Sequence, residues 1–166
     1  MKRITVLGTG NILMGDEGVG VHAIRALRES YSFPEQISLI DGGSMGLDLL
    51  PFIENTAKLL IIDAVSSGSP PGTIQVYEGQ VIPAVLSRKM SVHQIGVKDL
   101  LFALKFMDRA PEEICLIGVE PENMDILLGL SGKMKEVFPA LLAAILARLA
   151  RWGVDLAESR PHPCAT

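Results

Sequence analysis

The run Leu59-Leu60-Ile61-Ile62 is followed at once by Asp63. Four consecutive large aliphatic residues show no inside–outside alternation, so both faces of the segment must be covered. A strand covered on both faces belongs in the middle of a largely parallel sheet flanked by helices. Two other short apolar or β-branched runs read as strands: Ile4-Thr5-Val6-Leu7 stops at Gly8, and Ile37-Ser38-Leu39-Ile40 stops at Asp41-Gly42-Gly43. Thr73 to Tyr77 alternates as a half-exposed edge strand should, and Glu113 to Val119 reads as a further strand. Helical spacing fills the intervals. Val19, Ala23 and Leu27 repeat behind Asp16 as the expected N-cap. Ser44 is expected to cap a short helix through Leu47, Leu50 and Ile53, kinked or shortened by Pro51. Ser91-Val92-His93-Gln94 has capping-box form ahead of Val97, Leu100, Leu101 and Leu104. Met134, Phe138, Leu141, Ile145 and Leu149 stripe a last helix from Ser131 to Trp152, with Pro139 as an internal kink. The pattern is α/β, a mostly parallel five-stranded sheet covered on both faces.

With 166 residues the chain makes one domain, and residues from about 154 to 166 read as a flexible tail, frayed from Arg160 on. Fifteen Lys and Arg against nineteen Asp and Glu give a net charge of −4 with no basic run, a poor match to nucleic acid. Aromatic residues at 5% leave few platforms for stacking on single strands. Cys115 lies in an apolar run and reads as a buried thiol, while Cys164 falls in the Pro-rich tail; their spacing suits neither a metal nor a redox pair. Lys2-Arg3 and the four residues before Gly8 are too short for a signal peptide, and no run reaches the ~18 apolar residues of a membrane span. The expectation is a cytoplasmic chain without a membrane partner.

Right-handed crossovers bring the carboxyl ends of the first three strands to one edge, where ligands of such folds bind. Gly8-Thr9-Gly10-Asn11, Asp41-Gly42-Gly43 and Asp63 should meet there, joined by Asp16, Glu17 and His93. One imidazole with carboxylates is a ligand set for zinc, nickel, manganese or iron. Each residue also has a structural reading. Asp16 serves as an N-cap, Glu17 as a partner of the helix dipole, Asp41 as a turn-former and His93 as a helix-start residue. Asp63 is harder to explain away, because an ionised group behind four aliphatics needs a partner or a cleft. Gly18 and Gly20 in a first helical turn signal either close backbone packing or room for a bulky ligand. His22 reads as a surface residue, and Met14 and Met45 as apolar packing. A dinucleotide is disfavoured: the third glycine of Gly-x-Gly-x-x-Gly would fall at Leu13, and Asp16-Glu17 would repel a pyrophosphate.

The stretch Gly8-Thr9-Gly10-Asn11-Ile12-Leu13-Met14-Gly15-Asp16-Glu17-Gly18-Val19-Gly20 closely resembles the opening signature of the nickel-iron hydrogenase maturation proteases. Asp41-Gly42-Gly43 with Gly46, Leu59 to Asp63, His93-Gln94-Ile95-Gly96 and Gly118-Val119-Glu120-Pro121 follow in the family's order. The resemblance spans residues 1 to about 150. It implies a three-layer α/β sandwich with a twisted sheet between helices. It also implies an endopeptidase that removes the C-terminal extension of the hydrogenase large-subunit precursor after nickel insertion. By the same resemblance Glu17, Asp63 and His93 contact metal, and Asp16 joins them in the catalytic set. Asn11, Asp41, Gly42 and Gly43 are the substrate-binding set. The nickel is expected to come with the precursor rather than to reside in the enzyme, and the chain is expected to be a monomer. Two mechanisms stay open, nickel acting as a Lewis acid or a general-base water held by Glu17 or Asp16. A non-hydrolytic nickel chaperone or sensor is the competing function.

Overall fold

The computed structural model describes residues 2–88 and 96–158. Its strands are β1 (Ile4–Thr9), β2 (Tyr31–Ser32), β3 (Ile37–Gly43), β4 (Lys58–Ala64), β5 (Ile74–Glu78), β6 (Glu113–Val119) and β7 (Ala157–Glu158). Its α-helices are α1 (Val19–Ser30), α2 (Leu50–Ile53), α3 (Ile82–Leu86), α4 (Val97–Phe106) and α5 (Gly132–Arg151). The main sheet has the order β3-β1-β4-β6-β5, parallel except for β5, which runs antiparallel to β6. The apolar run that begins at Leu59 is thus the central strand, and the alternating segment lies at the edge, as their patterns require.

Successive side chains of each strand feed opposite cores. Val6, Leu60, Ile62, Cys115 and Ile117 pack under α1 and α5 with Ile24, Leu27, Leu141 and Ile145. Leu7, Leu59, Ile61 and Leu116 pack under α2, α3 and α4 with Ile53, Ile82, Leu100 and Leu104. The result is the three-layer sandwich. Burying a side chain of this size stabilises by about 1.5–3 kcal/mol, which explains why the middle strand is wholly aliphatic between Lys58 and Asp63.

Four local expectations are corrected. Helix α1 begins at Val19 with Gly18 as its N-cap, while Asp16 lies in a preceding 3-10 turn, Gly15–Gly18, and caps nothing on α1. The Asp16 carboxylate is already taken by donors from a distant loop. Ser44 makes no capping bond either: a 3-10 turn, Gly46–Leu49, leads into α2, and Pro51 sits in its first turn, where a missing N–H costs little. Helix α4 starts at Val97 behind an extended Gly96, because the Asp99 carboxylate accepts the Gly96 N–H at 2.9 Å and closes the helix there. The Ser91 to Gln94 capping box lies outside the described residues. The first residues of the expected tail, 154–158, pack on the fold, and those from 159 on lie outside the described residues. Val154 is buried, Leu156 packs on the core, and β7 pairs antiparallel with β2. By contrast α5 opens where expected, with the Ser131 hydroxyl accepting the Met134 N–H.

Candidate active site

In the order β3-β1-β4, the chain leaves β1 for one side of the sheet and later returns on the other, so the gap beyond β1 and β4 is the topological switch point. The glycines of the opening motif are what let α1 reach it. A Cβ on Gly20 would lie 2.2 Å from the Ile62 carbonyl oxygen and 2.6 Å from that of Thr9. One on Gly8 would lie 2.1 Å from the Gly20 carbonyl oxygen, and one on Gly18 2.7 Å from the Ile12 Cα. Close backbone packing therefore accounts for Gly18 and Gly20. Gly10 adds a conformational demand, with φ of +121° and the Glu17 carbonyl oxygen 1.7 Å from where its Cβ would stand. The consequence for the site is that the 3-10 turn bearing Glu17 is pressed onto the end of β4.

Glu17 is half-buried in that turn, and Asp63 is buried near the end of β4, in register with Gly118 of β6. They are two of the expected metal-contacting trio. The third, His93, lies outside the described residues. Among the described residues no three His, Cys, Asp or Glu side chains gather as a metal-holding group.

Asp16 is turned inward, toward the loop that precedes α5. Its carboxylate is fully buried and takes four hydrogen bonds: Oδ2 accepts from the Glu122 N–H (2.9 Å), the Asn123 N–H (3.1 Å) and the Ser131 hydroxyl (2.8 Å), and Oδ1 from the Ser131 N–H (2.8 Å). The Asp16 N–H in turn donates to the Asn123 carbonyl at 2.9 Å. Both carboxylate oxygens are engaged, the arrangement by which a buried charge is made tolerable.

Beside the switch point, the ends of β1 and β3 and the face of α1 enclose a cleft of about 320 Å³ lined by Gly10, Asn11, Leu13, Arg25, Asp41 and Gly43, among others. It brings together three of the four expected substrate-binding residues, Asn11, Asp41 and Gly43. Gly42 is buried beneath them, where a Cβ would meet the Leu7 side chain at 2.6 Å. Gly43 holds φ of +45° and its carbonyl accepts the Gly10 N–H at 2.9 Å, linking the two motif segments. The Asn11 Oδ1 accepts the Leu13 N–H at 2.9 Å and shapes the turn. Asp41 is paired with Arg25 at 3.1 Å, a partner the sequence did not suggest. His22, expected at the surface, is half-buried, and its Nε2 finds no hydrogen-bond partner among the described residues. Burial and the Arg25 charge lower its pKa, with Asp41 opposing them.

Two further elements escaped the sequence reading. Glu120 accepts the Ser67 N–H at 2.8 Å and the Ser67 hydroxyl at 2.6 Å, which anchors the loop over residues 66–72, rich in Ser, Gly and Pro, that follows β4. Burial would raise that carboxyl, but donors from Ser67, Gly68 and Ser69 hold it below the ordinary glutamate value. The second is the loop over residues 120–131, held by Asp16 and by a bridge between Met14 and Leu127. Both depend on contacts far apart in sequence, and only the Gly118-Val119-Glu120-Pro121 strand end hinted at them.

The family model described as Hydrogenase maturation protease matches residues 21–148. The Hydrogenase 2 maturation protease of Escherichia coli K12 is 38% identical over 154 residues, covering 92% of this chain and 94% of that protein. The Hydrogenase expression/formation protein HupD of Rhizobium leguminosarum bv. viciae is 38% identical over 165 residues, 98% of this chain and 81% of its own length. The solved structure of the hydrogenase maturating endopeptidase HybD from E. coli superposes with a TM-score of 0.89 at 37% identity, covering 94% of this chain and 97% of that one.

Proposed function

The chain belongs to the hydrogenase maturation protease family, and we propose that it is an endopeptidase removing the C-terminal extension of a nickel-iron hydrogenase large-subunit precursor. The observation that carries the reading is the switch point itself. The turn bearing the family's acidic motif residue, Glu17, is pressed by a glycine interlock onto β4, the strand that carries Asp63 next to its last residue. Relatives named as proteases or endopeptidases favour hydrolysis over a nickel chaperone or sensor.

In this reading nickel arrives as part of the substrate. Glu17, Asp63 and His93 supply two carboxylates and one imidazole, a hard-to-borderline set that suits nickel and leaves coordination positions for the precursor's own ligands. The carboxylates also lower the free energy of a cation entering the crevice, so a loaded precursor docks better than an empty one. Glu17, the less buried of the two carboxylates, is the residue to hold and deprotonate the attacking water. We assign Asp16 a positioning rather than a chemical part, since its lone pairs are already filled by four donors. The cleft between Asn11, Asp41 and Gly43 is assigned to the peptide flanking the scissile bond. The working form is a monomer in the cytoplasm.

The test is mass spectrometry of a large-subunit precursor, nickel-loaded and nickel-free, incubated with the wild type and with Glu17→Gln. Loss of a C-terminal peptide from the loaded precursor alone, by the wild type alone, is the expected result. Equal cutting of the nickel-free precursor would remove nickel from the mechanism.

A further inference from the structure

Residues 126–128 carry Ile126, Leu127 and Leu128 at 87%, 41% and 80% exposure, and Leu13 beside them is 54% exposed. Large aliphatics this open are ordinarily found singly; a group of four marks a surface that something covers. A solvated loop with no core of its own should also be loose, and this one is fastened. The Leu127 N–H donates to the Leu13 carbonyl at 3.1 Å, and the Gly15 N–H donates to the Leu127 carbonyl at 3.0 Å. The buried Asp16 carboxylate holds both shoulders of the loop, at Glu122 and Asn123 on one side and at Ser131 on the other. Within the loop, the Asn123 Oδ1 accepts the Asp125 N–H at 2.7 Å. A fully buried charge thus serves to present exposed leucines in a fixed position.

Position says what they are for. Leu13 belongs to two surfaces, since it lines the cleft with Asn11 and Asp41 and is bridged by hydrogen bond to Leu127. Glu17 follows in the same short segment. The apolar finger is therefore continuous with the crevice proposed to take the scissile peptide.

We propose that Leu13, Ile126, Leu127 and Leu128 form a preorganised docking surface for the folded body of the precursor, seated on an apolar patch beside the base of its C-terminal extension. The proposal rests on the protease reading. Because the finger is held in place before encounter, docking loses little ordering entropy, and its contribution is to substrate affinity rather than to the chemical step.

The experiment compares cleavage kinetics on the nickel-loaded precursor for the wild type, Ile126→Asp and Leu128→Asp. Phe106→Asp is the control, because that phenylalanine is 91% exposed at the far end of α4 from the strand ends that build the crevice. These side chains are exposed, so thermal melts of all the variants should match the wild type. The expected result is a KM raised about tenfold or more by each finger substitution, with kcat within about twofold and Phe106→Asp unchanged. An unchanged KM overturns the proposal, as does an equal rise in Phe106→Asp. Sedimentation adds one more arm. A wild-type dimer that Leu128→Asp dissociates without altering KM would make a second copy of this chain the occupant and refute precursor docking. A wild type that cuts no precursor would overturn the protease reading itself, before any variant is compared.

Discussion

Substituting Asp16 by Asn separates a clamp from a chemical acid, and the structure fixes what the change should cost. The carboxylate receives three donors on Oδ2 and one on Oδ1. An amide has only one acceptor oxygen. In its better orientation that oxygen keeps the Glu122, Asn123 and Ser131 hydroxyl donors, each now without the help of a full charge. The new NH2 group then faces the Ser131 N–H, which stands 2.8 Å from Oδ1 in the native chain. Weakening three charge-assisted bonds costs about 1 kcal/mol each, and leaving a buried N–H against another donor costs about 1–3 kcal/mol more. Removing a buried charge recovers part of this, so the net loss is about 3 kcal/mol. For a domain of this size that lowers Tm by about 6–12 °C.

The assay is a thermal melt of Asp16→Asn together with amide hydrogen exchange. The melt should fall by that amount, and exchange should quicken at Glu122, Asn123 and Ser131 while the centre of β4 stays protected. Precursor cleavage should persist well below the new midpoint, with KM rising more than kcat falls. A variant that melts within about 1 °C of the wild type yet cannot cleave would refute the clamp and return Asp16 to the proton-transfer step.

Three other outcomes follow from the geometry. Gly20→Ala puts a methyl group 2.2 Å from the Ile62 carbonyl oxygen, so α1 must lift from the sheet; a loss of about 3 kcal/mol in chemical denaturation is expected, with cleavage falling as the Glu17 turn moves. His22 should titrate below 6.5 by NMR, lower still in Asp41→Asn and higher in Arg25→Ala, since Asp41 raises its pKa and Arg25 lowers it. As the folded chain holds that proton less tightly than the unfolded one, the His22 contribution to stability is complete above pH 6.5 and is lost as pH falls from there through the folded pKa. The Cys115 thiol, fully buried with its pKa raised to about 11, should resist alkylation at pH 8 in the folded chain and react once denatured, as read by peptide mass mapping.

The sheet was legible because burial on both faces leaves an unmistakable trace. Leu59 to Ile62 is continuous and central, Thr73 to Tyr77 alternates and sits at the edge, and Glu113 to Val119 runs as β6 over those same residues. Helix starts were less legible, because a cap is a competition for one side chain. Asp16 satisfies the local rule for an N-cap, yet its oxygens are claimed by Ser131 and the 122–123 backbone, so α1 opens at Gly18 without a side-chain cap. Local propensity could not anticipate a stronger partner more than a hundred residues away. Asp99 shows the opposite case: it lies three residues after Gly96, reaches back to that N–H and sets the start of α4 by purely local means.

The candidate site divides along the same line. The glycines of the opening motif could be read as crowding or as ligand space, and only the strand they touch decides between them. Ile62 and Thr9 stand where a Cβ of Gly20 would go, so the motif is first a packing device and acquires its chemical sense from where that packing places Glu17. The finger at Ile126 to Leu128 has no motif at all. Its three aliphatics resemble an ordinary core segment in sequence, and they stay exposed because Gly15, Leu13 and Asp16 hold that loop by its backbone, leaving the side chains outward. A buried carboxylate and an exposed leucine each look anomalous alone. Joined by hydrogen bonds they make one device: the Asp16 charge, satisfied inside, fixes a surface whose apolar side chains are complete only against a partner. Loosening that charge should therefore weaken precursor binding before it slows bond cleavage.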